Sequence, residues 1–145
     1  MFKLFITGSS GFIGGRLVHS LSDQYDICTP LRSGKKLLLD TPLVSSIGYE
    51  DISSHSGDNF QAIIHCASLT PANCSKPDVI YEQNLSLTNS ISSAIHVLKP
   101  KFFIFCSSVS VYGDINGGTL NLDSPCNKPS IYGEENGIIE VDSIY

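Results

Sequence analysis

Residues 7–14, Thr7-Gly8-Ser9-Ser10-Gly11-Phe12-Ile13-Gly14, place three glycines at intervals of three positions. The stretch follows a short apolar run at 2–6, which is typical of a strand buried on both faces. It leads into 12–21, where apolar residues recur at helical spacing and form one stripe. The sequence therefore predicts a strand, a tight glycine turn and a helix as the first unit of the chain.

Each glycine of this turn has a predicted physical task. Gly8 takes the tight turn, Gly11 lets the backbone approach a pyrophosphate, and Gly14 lets helix and strand pack closely. The N-terminal N–H groups and the positive dipole end of the following helix then point at the phosphates. Glycine spacing alone is a weak signal, and a turn with incidental glycines is the alternative. The strand before the turn and the helix after it favour a site for NAD or NADP.

The rest of the chain alternates short apolar runs with segments of helical period. Strands are predicted at 2–6, 25–31, 43–49, 62–66 and 102–107, helices at 12–21, at 78–98 and from about 132 onward, and loops at 33–44 and 114–130. Pro30 weakens the second strand prediction. Strands that alternate with helices imply right-handed crossovers and a parallel sheet. We therefore predict an α/β fold with a Rossmann-type doubly wound parallel sheet.

Composition excludes several classes of protein. The 145 residues carry a net charge of −5, so nucleic acid is not an expected partner. No apolar stretch approaches the roughly 20 residues of a membrane span, and the first residues do not resemble a signal peptide. Five cysteines without a CxxC pair favour a reducing compartment, the cytoplasm, and Cys28, Cys66 and Cys106 are predicted to be core residues. His65 has no second ligand at metal-binding spacing, so we predict no metal site.

The Thr-Gly-x-x-Gly-Phe-Ile-Gly spacing resembles the extended short-chain dehydrogenase/reductase family, which contains nucleotide-sugar epimerases and dehydratases. Further matches follow in order: Asp51-Ile52 after the third strand, His65-Cys66-Ala67-Ser68 at the fourth, Lys76-Pro77 with Tyr81 and Asn84 at the long helix, residues 105–113 (FCSSVSVYG) at the fifth strand, and Pro129-Ser130-Ile131-Tyr132-Gly133 near the end. Together these matches cover nearly all of the chain.

The resemblance implies a set of cofactor-binding residues. These are Gly8, Ser10, Gly11, Phe12, Ile13, Gly14, Arg32, Asp51, Ile52, Cys66, Ala67, Ser68 and Asn84. An acidic residue at the end of the second strand usually binds the ribose hydroxyls of NAD, and the matching position here is Leu31, followed by Arg32. A guanidinium without a carboxylate favours the 2′-phosphate of NADP over NAD. The alternative is that Arg32 is an ordinary surface charge.

The resemblance also implies a catalytic Ser, Tyr and Lys, which match Ser108, Tyr132 and position 136. The third position departs from the family, because Asn136 replaces the lysine of Tyr-x-x-x-Lys. The i,i+4 spacing still places Asn136 on the same helix face as Tyr132. An uncharged amide gives the phenol no help in ionising. We therefore expect hydride transfer at a sugar carbon with Tyr132 as base, at very low turnover by this chain alone.

We assign 1–145 to one NAD(P)-binding Rossmann domain that ends after the fifth strand and its following helix. By this resemblance, we expect the substrate-binding C-terminal portion of the family to lie outside residues 1–145. Three hypotheses follow: the cofactor domain of a nucleotide-sugar epimerase, dehydratase or reductase, a non-catalytic dinucleotide-binding domain, or a degenerate fragment. The expected partners are the dinucleotide, a nucleotide sugar if a complementing C-terminal portion exists, and a second copy of the chain.

Overall fold

Five parallel strands form one sheet in the computed structural model, which describes residues 1–37, 39, 41–113 and 119–126. The strands are β1 (Lys3–Thr7), β2 (Asp26–Leu31), β3 (Val44–Gly48), β4 (Phe60–His65) and β5 (Phe102–Phe105). Their order in the sheet is β3-β2-β1-β4-β5, and all four pairings are parallel. This order confirms the predicted Rossmann-type sheet. From β1 the chain adds β2 and β3 on one side of the sheet and then returns to add β4 and β5 on the other side. Sheets of this kind leave a crevice between the two strands where the order switches, here β1 and β4, at the carboxyl ends of the strands.

The helices are α1 (Phe12–Leu21) and α2 (Pro77–Leu98), with short 3₁₀ helices at Tyr49–His55 and Val109–Tyr112. The bounds of α1 are the predicted ones, whereas β5 ends two residues earlier than predicted and the 3₁₀ helices were not predicted. Pro30 is tolerated within β2. The hydrogen-bonded pairing of β1 with β2 ends at Cys28, so β1 does not require the N–H group that proline lacks. The predicted last helix lies outside the described residues, and no described helix is both long and apolar enough to cross a membrane.

The chain divides into two compact units, Met1–Ser68 with Asn89–Cys106, and Leu69–Thr88 with Ser107–Tyr145. The first unit contains all five strands and two apolar cores. The first core holds Phe5, Cys28, Ile52, Phe60, Ile63, Ile91, Ala94 and Leu98, and the second holds Leu4, Ile6, Val18, Ile27, Ala62 and Ile64. Alternate residues of β1 enter different cores because successive side chains of a strand point to opposite faces. The three central strands, β2, β1 and β4, are thus buried on both faces, as their continuous apolar runs predict.

Candidate functional site

Gly8 ends the first strand and meets the carboxyl end of β4. Its φ of +75° lies in the left-handed region, which L side chains rarely adopt. A Cβ built at Gly8 would lie 2.7 Å from the backbone nitrogen of Ala67 and 2.7 Å from the carbonyl carbon of Cys66. Any side chain here would push the turn away from β4. Gly8 therefore fixes the close approach of the turn to the crevice between β1 and β4.

The other two glycines of the turn, Gly14 and Gly11, differ in how little space a Cβ would have. A Cβ at Gly14 would lie 2.3 Å from the carbonyl oxygen of Gly8, so the packing of α1 on the turn requires glycine there. Gly11 has ordinary extended backbone angles, and the nearest atom to its Cβ would be the Gly8 oxygen, at 3.2 Å. Gly11 is exposed, and its one tight contact makes the demand for glycine weaker here than at Gly8 or Gly14. An absent side chain at this position leaves open backbone for a ligand.

The N-terminus of α1 comes directly after the glycine turn. Gly11 caps this helix without any side-chain hydrogen bond, and its first turn contains no acidic residue. The N–H groups at the first helical positions, beginning with Phe12 and Ile13, have no carbonyl partner within the helix. Their side chains are 83% and 54% exposed. Ser10 is also exposed. The turn thus presents unshielded N–H donors and the positive end of a helix dipole, which suit a phosphate group.

Thr7, which precedes the turn, ties β1 to the end of β4. Its buried hydroxyl oxygen accepts hydrogen bonds from the backbone N–H groups of Cys66 and Ala67, both at 3.2 Å. The same hydroxyl lies 2.7 Å from Nδ1 of His65. Sequence reasoning did not assign Thr7 a role, although a polar residue that ends a buried strand was visible as a signal. The network holds in place two backbone segments predicted to bind the cofactor.

His65, the last residue of β4, is the other side chain in the Thr7 network. Its side chain is buried and stacks on Phe105 with ring centroids 5.8 Å apart. Desolvation lowers the pKa of His65 to about 4, so the imidazole is neutral at pH 7. Among the described residues, no group of three His, Cys, Asp or Glu side chains is placed to hold a metal ion. The geometry agrees with the predicted packing role of His65.

Three further predicted residues follow the carboxyl ends of β2 and β3. Arg32 is exposed, and its carbonyl accepts from the N–H of Lys35 at 3.0 Å in a tight turn. Its guanidinium lies close enough to lower the pKa of Tyr49, although burial raises that pKa more strongly. Asp51 accepts from the Gly48 N–H at 3.3 Å and thereby caps the first 3₁₀ helix. Ile52 is buried in the first core, so the structure gives it a packing contact.

Asn84 and Ser108 lie in the second unit. The buried Asn84 amide accepts from the N–H of Leu69 at 2.7 Å and donates to its carbonyl at 2.9 Å. Ser108 accepts from the N–H of Ser110 at 3.2 Å and so caps the second 3₁₀ helix. Both side chains thus order local backbone. Tyr132 and Asn136 lie outside the described residues.

The first unit therefore brings most of the predicted cofactor residues to one edge of its sheet. The glycine turn, Cys66 and Ala67 are in direct contact, and Ser68 follows them as an exposed residue. A groove of about 260 Å³ also opens beside the turn, lined by Ser9, Gly11, Phe12, Gly15, Arg16, Val18, His19, Leu37 and Leu39. Ser9 is held there by a hydrogen bond of 2.7 Å from the hydroxyl of Thr29 in β2.

The chain is similar in sequence to known proteins. The UDP-glucose 4-epimerase of Klebsiella pneumoniae is 29% identical over 131 residues, which cover 77% of this chain and 93% of that protein. The D-erythronate dehydrogenase of Haemophilus influenzae is 28% identical over 155 residues, which cover 96% of this chain and 48% of that protein.

Solved structures are similar in fold. The UDP-Glc/GlcNAc 4-epimerase of Campylobacter jejuni superposes with a TM-score of 0.82 at 20% identity, covering 98% of this chain and 48% of that one. The enzyme WbmH of Bordetella bronchiseptica, solved in complex with NAD⁺, has a TM-score of 0.81 at 21% identity, covering all of this chain and 52% of that one. This chain spans about half the length of three of these four proteins. The sequence model of the NAD dependent epimerase/dehydratase family matches residues 4–136, and the chain belongs to that family.

Proposed function

We propose that the glycine turn of the first unit binds NAD(P), as the cofactor-binding part of an epimerase, dehydratase or reductase that acts on a nucleotide sugar. The observation that carries this proposal is the contrast within the turn. Gly8 and Gly14 are required by contacts of 2.3–2.8 Å inside the chain, whereas a Cβ at the exposed Gly11 would meet a single atom at 3.2 Å, in front of a helix N-terminus without a side-chain cap. A pyrophosphate is an anion of the size and charge that such a turn accepts.

NADP is the favoured form of the cofactor. Arg32 follows β2 at the carboxyl edge of the sheet, and the tight turn holds Lys35 beside it. The ion pairs of the described residues join Asp58 to Lys3 and to His55, and Arg32 takes part in neither. An exposed guanidinium without a carboxylate partner suits the 2′-phosphate, which it binds with two parallel hydrogen bonds.

The proposed chemistry uses residues from the second half of the sequence. When bound, the cofactor accepts or returns a hydride at a sugar carbon. Tyr132 removes the proton of the sugar hydroxyl, and Ser108 orients that hydroxyl once its cap to Ser110 is given up. Asn136 hydrogen-bonds but cannot favour the phenolate as a lysine would. Without the lysine, ionising the Tyr132 phenol is harder by the equivalent of two to three pKa units, and the rate falls roughly 100- to 1000-fold.

A titration of the full chain with NADPH and with NADH tests the binding proposal. The chain has no tryptophan, so the nicotinamide fluorescence of the cofactor is measured without tryptophan emission. We expect Gly11→Ala to weaken binding at least tenfold while leaving the unfolding midpoint nearly unchanged. Gly57→Ala is the control for cofactor binding only, because Gly57 lies in a loop at the amino end of β4, where a Cβ meets nothing within 4 Å, while its φ of +96° lowers the stability of the variant. Absence of binding by the unaltered chain overturns the proposal.

A second candidate function, non-catalytic dinucleotide binding, is favoured by Asn136. It predicts tight cofactor binding without conversion of any UDP-sugar. Asn136→Lys, assayed with an added C-terminal portion from a family member, separates the two candidates. Recovered turnover supports a degenerate or split enzyme, and continued inactivity despite cofactor binding supports the binding domain.

The remaining partners are proposals of the same kind. Binding of a nucleotide sugar requires the complementing C-terminal portion. We propose the reducing cytoplasm as the location of the chain.

A second copy of the chain is supported by Phe102 and Ile104, which are 60% and 49% exposed on the outermost strand of the sheet. Light scattering of the purified chain, with Ile104→Thr as the comparison, tests for a homodimer.

A further inference from the structure

Two thiols meet where β4 and β5 end. Sγ of Cys66 lies 3.4 Å from Sγ of Cys106. His65 pairs with Phe105 as the last residues of this ladder, and the N–H of Cys106 donates to the carbonyl of His65 at 3.0 Å. The two cysteines are therefore cross-strand neighbours one step beyond the sheet. The predicted core position is confirmed for Cys28, which is fully buried, whereas Cys66 is partly buried and packs against the second core, and Cys106 is partly buried at the end of β5.

The backbone around this pair is held firmly. The Cys66 N–H donates to the Thr7 hydroxyl, and the Cys66 carbonyl lies against Gly8. Parallel pairing of β4 with β5 fixes the second cysteine relative to the first. The sulfur atoms are already in contact, so a bond between them needs only a small rotation of either side chain. Neighbouring strands also lie at a separation that disulfides span.

We propose that Cys66 and Cys106 form a site of reversible oxidative modification, at which a peroxide closes an intramolecular disulfide between the ends of β4 and β5. One thiol releases its proton, the thiolate attacks a peroxide oxygen, the O–O bond breaks, and a sulfenic acid and hydroxide are formed. The hydroxide takes up the released proton and becomes the first water. The second sulfur attacks the sulfenic sulfur, the S–O bond breaks, and hydroxide leaves as water with the second thiol's proton. The two sulfurs lose two electrons in total, and hydrogen peroxide is reduced to two waters.

Burial, with a further contribution from the adjacent Cys106, raises the pKa of the Cys66 thiol. The 3.4 Å contact lets either sulfur take the first step and the other resolve the sulfenic acid. The closed bond ties together the ends of β4 and β5, so the oxidised chain resists unfolding more strongly.

The test uses the full chain with Cys74→Ser and Cys126→Ser, which removes the cysteines of the second unit. After treatment with hydrogen peroxide and alkylation of free thiols, peptide mass spectrometry should find Cys66 joined to Cys106, with the mass of two hydrogens lost. Dithiothreitol should restore both thiols, and the oxidised protein should melt at higher temperature. Alkylation of both cysteines after oxidation, or their conversion to sulfinic acids, overturns the proposal.

A second probe does not depend on oxidation. Phenylarsine oxide bonds one arsenic atom to two adjacent thiols, so the native double variant should bind one equivalent. Cys66→Ala and Cys106→Ala should each abolish that adduct while circular dichroism shows a retained fold. An adduct that survives either substitution contradicts the assigned pair. These measurements need no cofactor, so their failure leaves the proposed dinucleotide site unaffected.

Discussion

The hydroxyl of Thr7 lies 2.7 Å from Nδ1 of His65, and this contact fixes the tautomer of the imidazole. Thr7 already accepts two backbone N–H groups, from Cys66 and Ala67. Its single proton is therefore donated to His65, whose Nδ1 must be the acceptor. The proton of the neutral ring then sits on Nε2, which is buried without a hydrogen-bond partner among the described residues. A protonated His65 would carry its second proton on Nδ1, where the hydroxyl proton of Thr7 already points.

The first prediction is a loss of stability in mild acid. His65 has a pKa of about 4 in the folded chain, and an unfolded histidine has a pKa of about 6.5. Between these values the unfolded state binds more protons, so stability is present above pH 6.5 and is lost as the pH falls toward 4. The free energy of unfolding should fall by about 3 kcal/mol across this window. Urea titrations at intervals of half a pH unit measure it.

His65→Gln separates this effect from general acid sensitivity. The glutamine amide oxygen still accepts from Thr7 but does not titrate, so the variant should lose most of the slope between pH 6.5 and 4. His19→Gln alters an exposed residue of α1 and should keep the slope. Asp58 acts at lower pH, because a hydrogen bond from Lys3 lowers the pKa of its carboxyl. An unchanged slope in His65→Gln would show that another group is responsible.

The second prediction compares two glycines of similar backbone conformation. Gly8 and Gly57 have φ values of +75° and +96°, but only Gly8 is enclosed by neighbouring backbone. Gly57→Ala should cost about 1 kcal/mol, the strain of the left-handed region alone. Gly8→Ala adds an overlap with Ala67 and should cost about 3 kcal/mol. Equal unfolding midpoints for the two variants would contradict the close approach of the turn to β4.

The third prediction concerns Asn84, which binds both polar groups of the Leu69 backbone. Asn84→Asp keeps an acceptor for the N–H but leaves the carbonyl of Leu69 without its donor. We expect a loss of about 1–3 kcal/mol, because the affected groups are partly buried. Asn89→Asp, at an exposed position of the same helix, should change stability little. Hydrogen exchange at the Leu69 amide provides a local measurement of the same contact.

Sequence predicted the sheet because its cause is local: apolar runs of strand length alternate with segments of helical period. It located the glycine turn because the φ of Gly8 and the packing of Gly14 on Gly8 are local, although the contact of Gly8 with Ala67 joins distant parts of the chain. It missed contacts between distant residues, since nothing in the local pattern pairs Thr7 with His65 or Cys66 with Cys106. Ile52 shows a further limit, because a motif match predicts a cofactor contact where the structure shows a buried side chain in the core.

The last prediction tests the preference between the two cofactors. Arg32→Ala should weaken NADPH binding about 10- to 100-fold, the loss of a charge-assisted bidentate contact of about 1.5–3 kcal/mol. NADH has no 2′-phosphate, so its affinity should change less than threefold. Lys101→Ala removes the same charge just before β5, at the amino end of the strands, and should leave both affinities unchanged. Raising the salt concentration should weaken NADPH more than NADH in the unaltered chain and equally in Arg32→Ala. Equal losses for both cofactors on removing Arg32 would show that its charge acts on the shared pyrophosphate, and the assignment to the 2′-phosphate would be wrong.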